Sequence, residues 1–203
     1  LVGSEMCIRD RTRMLLKEGL LSWLANNSFE SVTVTSLCKA SGITRSTFYL
    51  HYSNIMEIVD DLVDDAIAYS KPGMVDNNNL QTIANTLSAA SNSVSLREAY
   101  DSIFDRLPLC QRIIRHKKYL PLFLDEQISE YVLQRIIGRE KDRQGLVIAE
   151  SLGVSFDVGV SVFVFLVHGL YAVNKQYKWS QSDEWLEAQK IIFELVYRGL
   201  QRR

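Results

Sequence analysis

Thr33-Val34-Thr35-Ser36-Leu37-Cys38-Lys39-Ala40-Ser41-Gly42-Ile43-Thr44-Arg45-Ser46-Thr47-Phe48-Tyr49-Leu50-His51-Tyr52 reads as two short helices joined by a tight turn. Thr33 suits the N-cap of a helix over Val34–Ser41, and Gly42 suits the left-handed residue that ends it. Thr44 then caps a second helix running to about Tyr52. Val34, Leu37, Cys38, Ala40, Ile43, Phe48 and Tyr52 are the expected core, with Ala40 and Gly42 small so that the helices cross closely. Arg45, Ser46, Thr47, Tyr49 and His51 are left facing outward. They are donors suited to phosphate oxygens and to base edges in a major groove. Neither Asp nor Glu occurs from Ser31 through Met56, where Lys39, Arg45 and His51 supply the charge. Contact with a polyanion requires such clearing.

Around this stretch the 203-residue chain is ordinary in composition, 47% hydrophobic and 23% charged. That mix excludes a disordered tail, a collagen-like fibre and a disulfide-stapled miniprotein. A formal net charge of −1 gives no global basic field, so contact with nucleic acid rests on a local patch. Cys7, Cys38 and Cys110 are scattered and form no CxxC pair. They argue for a reducing compartment and against a disulfide framework or a zinc site. No secretory pattern opens the chain, and a cytoplasmic location is expected. Residues 1–10, LVGSEMCIRD, begin without Met and are expected to be a cloning or sequence-assembly scar.

With 3 Pro and 10 Gly in the whole chain, long helices have room. Apolar residues recur at three and four over 10–26, 54–69, 80–90, 95–106, 108–116, 121–139, 144–177 and 183–200. Lys71-Pro72-Gly73 is a break, and Gly153 an expected bend. The fold expected is all-α. Val158–Val173 alternates like a strand, but its helical surroundings offer no second strand to pair with. At 16 residues it falls short of the roughly 20 that cross a bilayer. A buried core or subunit-interface helix is therefore expected, with no membrane contact. Asp60, Asp61, Asp64 and Asp65 read as a solvated ridge, His116 as a solvated residue, and His168 as a core or interface histidine.

The residues from Phe29 to Tyr52, with Ala-x-Gly-Ile ahead of the Thr-Phe-Tyr run and an aromatic three residues on, resemble the DNA-binding domain of TetR/AcrR-type transcriptional regulators. The resemblance covers about Arg11 to Val59. It implies a three-helix helix-turn-helix domain over 11–55, followed by a larger helical effector-binding and dimerisation domain over 56–203. It implies that Arg45, Ser46 and Thr47 approach bases, that Tyr49 and His51 meet backbone or adjoining bases, that Thr33 and Thr35 hold a phosphate, and that Thr44 belongs to the same DNA-binding set. A homodimer through the last two helices is implied too, with Phe163, Val167, Trp185, Ile192, Val196 and Leu200 as its contacts. The chain departs from the family pattern at Ile55, where Lys often clamps a phosphate, and at Ser28, where Gly is usual.

The resulting expectation is a regulator, a repressor released from a palindromic double-stranded DNA operator by a small-molecule effector. Its pocket is expected among the helices over 80–171 and suits an apolar ligand. No Gly-rich phosphate loop, GxSxG or HExxH occurs, so neither an enzyme nor a cofactor or metal is expected. The alternatives are a helical adaptor that has lost operator binding, and an all-α enzyme.

Overall fold

In a computed structural model, residues 2–69, 77–108, 111–112 and 117–200 are described. All regular structure among them is helical, with no strand. The helices are α1 (Val2–Leu24), α2 (Val34–Ser41), α3 (Arg45–Tyr49), α4 (Ile55–Tyr69), α5 (Asn77–Ser88), α6 (Ser93–Ser102), α7 (Leu120–Leu124), α8 (Ser129–Leu152), α9 (Phe156–Gln176) and α10 (Asp183–Leu200). Helix α1 starts at Val2 and runs through the stretch expected to be a scar. The Lys71-Pro72-Gly73 break, Cys110, His116 and most of the helix expected over 108–116 lie outside the described residues.

Two compact units divide the chain. The first is Leu1–Tyr69 with His116–Ile136. Here α1 packs on α2, α4 and α7, and α2 packs on α3. Leu16, Leu20, Leu37, Phe48 and Ile58 are fully buried at its centre. The apolar face of α4, Ile58 to Ile67, belongs to this unit, which therefore reaches past residue 55. The close packing of α2 falls at an unexpected point. A Cβ on Gly19 of α1 would sit 2.2 Å from Ser41 Oγ, so α1 approaches α2 there. Ala40 is exposed, and Gly42 has open space around it. Gly42 is needed for its φ of +67°, which an L side chain adopts only with strain. Backbone conformation, not helix crossing, explains that glycine.

Asp64 is exposed, but Asp60, Asp61 and Asp65 of α4 are not a solvated ridge. Asp61 pairs with Arg13 and accepts from the Tyr52 hydroxyl at 2.6 Å, and Asp65 pairs with Lys17. Asp60 accepts from the Tyr131 hydroxyl at 2.7 Å and pairs with Arg135 at 2.8 Å. These carboxylates tie α4 to its neighbours. Chain neighbours alone gave no sign of that, because apart from Tyr52 the partners lie 48 or more positions away in sequence.

The second unit is Ser70–Arg115 with Ile137–Arg203, and α5, α6 and α10 pack on one another in it. Ile83, Leu87, Leu107, Trp185 and Phe193 are buried at its centre. A polar chain crosses this core: the Tyr100 hydroxyl donates to Gln111, and Gln111 Nε2 donates to Gln189 at 2.9 Å. Helix α8 runs unbroken through 139–144, where a gap between helices was expected. Its charged run stays helical, with buried Glu140 paired to the exposed Arg143 one turn later. The chain then breaks rather than bends at Gly153, whose φ is +63°.

The strand-like stretch is helical. Gly159, Phe163, Val167, Leu170 and Asn174 are spaced three and four apart and form the buried stripe of α9, while Val158 and Phe165 point out. Apolar residues on both faces produce the false period of two. At 21 residues, α9 is longer than its apolar core run. By length and composition it is able to cross a membrane, and 28% of its apolar window is buried within the chain.

Candidate functional site

The turn and the start of α3 are fixed by hydroxyls. Thr33 Oγ1 accepts from the Ser36 amide at 3.0 Å, while Ser36 Oγ accepts from the Thr33 amide at 2.9 Å, a reciprocal cap on α2. Thr44 Oγ1 accepts from the Thr47 amide at 3.1 Å and lies within hydrogen-bond distance of the Ser46 and Thr47 hydroxyls. Thr33 and Thr44 thus have structural work that accounts for their presence. Phe48, fully buried, anchors α3, with Tyr49 edge-on to its ring at 5.2 Å. Helix α3 ends at Tyr49, earlier than expected, and Leu50 caps it. Outward stand Arg45, Ser46, Tyr49 (52% exposed) and Leu50 (76%), with Thr35 and Lys39 exposed on α2; Thr47 is half-buried.

A three-member clamp holds the end of this unit. Arg13 Nε lies 3.1 Å from Asp61 and 3.3 Å from the Tyr52 hydroxyl, and its guanidinium stands 5.4 Å from the Tyr52 ring centre. The hydrogen bond to Asp61 raises the Arg13 pKa further, and burial followed by the bond to Asp61 raises that of Tyr52. Arg13 therefore stays charged and Tyr52 neutral across the working pH range. Tyr52, three residues beyond α3, is tied at once to α1 and α4, so the outward face is preorganised.

His51 is less outward than the sequence suggests. It is half-buried, and its Nδ1 is shielded from solvent without a hydrogen-bond partner. Burial first, then Arg9 and Arg13, lowers its pKa below 6.5, so the ring is neutral near pH 7. Arg9 is the residue the sequence reading missed. It lies in the stretch set aside as a scar, 42 positions before the imidazole that it influences, and only the continuity of α1 brings it there.

At the start of α4, where a basic clamp is common in the resembled family, Ile55 is half-buried. Glu57 accepts from the Ser53 amide at 2.8 Å, and Asn54 Oδ1 accepts from the Glu57 amide at 3.2 Å. A carboxylate of the chain itself thus satisfies an amide at this end of the helix.

In the second unit, the six expected pairing residues fall into different places. Trp185 is buried to 1% exposure and its indole donates to Asn174 at 2.9 Å, which leaves it no surface for a partner. The side chain of Leu200 is outside the described set. Phe163, Val167, Ile192 and Val196 come together, but around a cleft of about 460 Å³ within the unit. Its lining, from Leu80 and Ile148 to Phe165 and Leu195, is apolar throughout. Among the described residues, no group of three or more His, Cys, Asp or Glu is placed to hold a metal ion. Burial pushes the Cys38 thiol pKa up, which suits an unreactive core side chain. The chain matches no protein-family model and no curated protein.

Proposed function

We propose that this chain is a sequence-specific DNA-binding transcriptional regulator similar to the TetR/AcrR type, acting in the cytoplasm as a homodimer. In this reading α2 and α3 are a helix-turn-helix, and α3 is the element that enters the major groove. The observation that carries the reading is the outward face of Arg45, Ser46 and Tyr49. It is clear of carboxylates and mounted on a short helix that buried Phe48 and the Arg13–Asp61–Tyr52 clamp hold rigid. Arg45 reads a guanine edge, and Tyr49, Thr35 and Lys39 meet the phosphate backbone. Two copies engage successive grooves of a pseudo-palindrome. The second unit supplies both the pairing surface and the site for a small effector that releases the repressor by favouring a different state. No substrate is transformed.

Electrophoretic mobility shift against DNA from upstream of the chain's own gene, titrated with salt, tests this. Sequence-dependent binding whose affinity falls steeply with salt is expected, the slope giving the number of phosphates engaged. A second reading, an adaptor with the same fold and no operator, draws on Ile55 and the Glu57 cap, which place no basic side chain where the family often has its clamp. Equal, weak binding to every DNA tested would favour it.

A further inference from the structure

We infer that Leu50 is a specificity-determining residue that reads the 5-methyl group of a thymine on the floor of the major groove. This role deepens the regulator reading and rests on it.

Leu50 closes α3 in helical conformation, with φ −74° and ψ −18°. Its amide donates to the Thr47 carbonyl at 3.2 Å, and the His51 and Tyr52 amides donate to that of Phe48 at 2.9 and 3.0 Å. The turn therefore continues past it, held on either side by buried Phe48 and Tyr52. At 3.6 residues per turn, Ser46 and Leu50 both stand roughly 160 to 200° around the helix from Phe48. They form the line of α3 that points straight away from its core, with Arg45 and Tyr49 beside it. At 76%, Leu50 is the most exposed large apolar side chain among the described residues. A lone exposed leucine is ordinary on a protein surface. This one is set apart by its place on the outermost line of a rigidly held helix.

A saturated side chain offers no donor and no acceptor. Set against a polar base edge, it would strip water from that edge and return no hydrogen bond. Thymine alone among the four bases puts a methyl group into the major groove, where contact with an apolar side chain removes hydrocarbon from water on both partners. Leu50 thus favours thymine and disfavours the polar edges of the alternatives. Its surroundings commit it to nucleic acid rather than to another apolar surface. Neither Asp nor Glu occurs from Ser31 through Met56, and the Arg45 guanidinium with the Ser46 and Tyr49 hydroxyls flanks it. Leu50 follows Arg45 by five residues, about 7.5 Å along a helix axis, against about 3.4 Å per base-pair step. The thymine is therefore expected within about three base pairs of the guanine that Arg45 reads.

The experiment selects DNA for the full chain from a random-sequence pool, then replaces each thymine of the selected site by deoxyuridine in turn and reads affinity by fluorescence anisotropy. Deoxyuridine lacks only the methyl group and keeps every hydrogen-bonding edge. Expected is one thymine per half-site, in the stated span from the position at which Arg45→Ala loses its preference, where the exchange weakens wild type by about three- to tenfold. Leu50→Ala, at an exposed position, should melt like wild type, bind the parent site more weakly by a similar factor, and be indifferent to the exchange. The assignment is overturned if no single exchange weakens wild type, if the selected half-site has no thymine in that span, or if Leu50→Ala still loses affinity on the exchange. A wild type that selects no sequence from the pool overturns the regulator reading, and the role of Leu50 with it, before any base has been exchanged.

Discussion

At the scale of single residues, the helix-turn-helix unit separates reading from folding. Arg45 is exposed and Phe48 is fully buried three positions later. Arg45→Ala should cost roughly 1–3 kcal/mol of operator affinity and relax preference at one base pair, measured by anisotropy against a base-substituted operator set. Phe48→Ala should leave a cavity and lower unfolding free energy by about 3–5 kcal/mol in a denaturant titration. His51 makes a pH prediction of a definite sign. Its folded pKa lies below the unfolded value of 6.5, so the unfolded chain binds the proton more readily. Stability conferred by the neutral ring is intact above that value and declines as pH falls through it. Unfolding curves from about pH 5 to 8 should show this decline in wild type and lose it in His51→Gln. The cap residues Thr33, Thr44 and Gly42 were legible in the sequence because caps are local chemistry. Arg9 and the Arg13–Asp61 pair were not, because sequence shows spacing along a helix but not which distant helix faces it.

At the scale of elements, two contacts decide positions that composition left open. A Cβ on Gly159 of α9 would stand 2.2 Å from the Gly145 carbonyl oxygen of α8, so the two helices touch backbone to backbone. Gly159→Ala should force them apart and cost about 1–3 kcal/mol, read as a lower urea midpoint. Periodicity counts apolar residues and is blind to a contact made by the lack of a side chain. That is why the packing of α9 on α8 went unseen. At the start of α4, the Glu57 cap occupies the place where a phosphate clamp is common in the resembled family. Ile55→Lys should tighten binding to all DNA sequences and steepen the salt dependence by about one phosphate. An unchanged salt slope would mean that this helix end stands clear of the backbone.

For the whole molecule, the all-helical class followed from scarce breakers and recurrent spacing, and the structure has it. The roles of the last two helices were only half legible. Their apolar excess was plain, but how it divides between core and surface depends on which neighbours each face meets. Trp185 went to the core with Asn174, while Phe165 and Leu195 remained exposed. The regulator reading gives that exposed surface to a second copy of the chain, and Leu195→Asp should yield a monomer whose melting temperature stays near that of wild type. The account stands most directly on operator binding by Arg45→Ala and Tyr49→Ala, compared with wild type on DNA selected from a random-sequence pool, with melting temperatures taken on the same preparations. The prediction is that both variants melt like wild type, that Arg45→Ala loses preference at one position, and that Tyr49→Ala binds every sequence more weakly. If both variants bind the selected DNA as tightly and as selectively as wild type, α3 is not the reading element and the regulator account is contradicted.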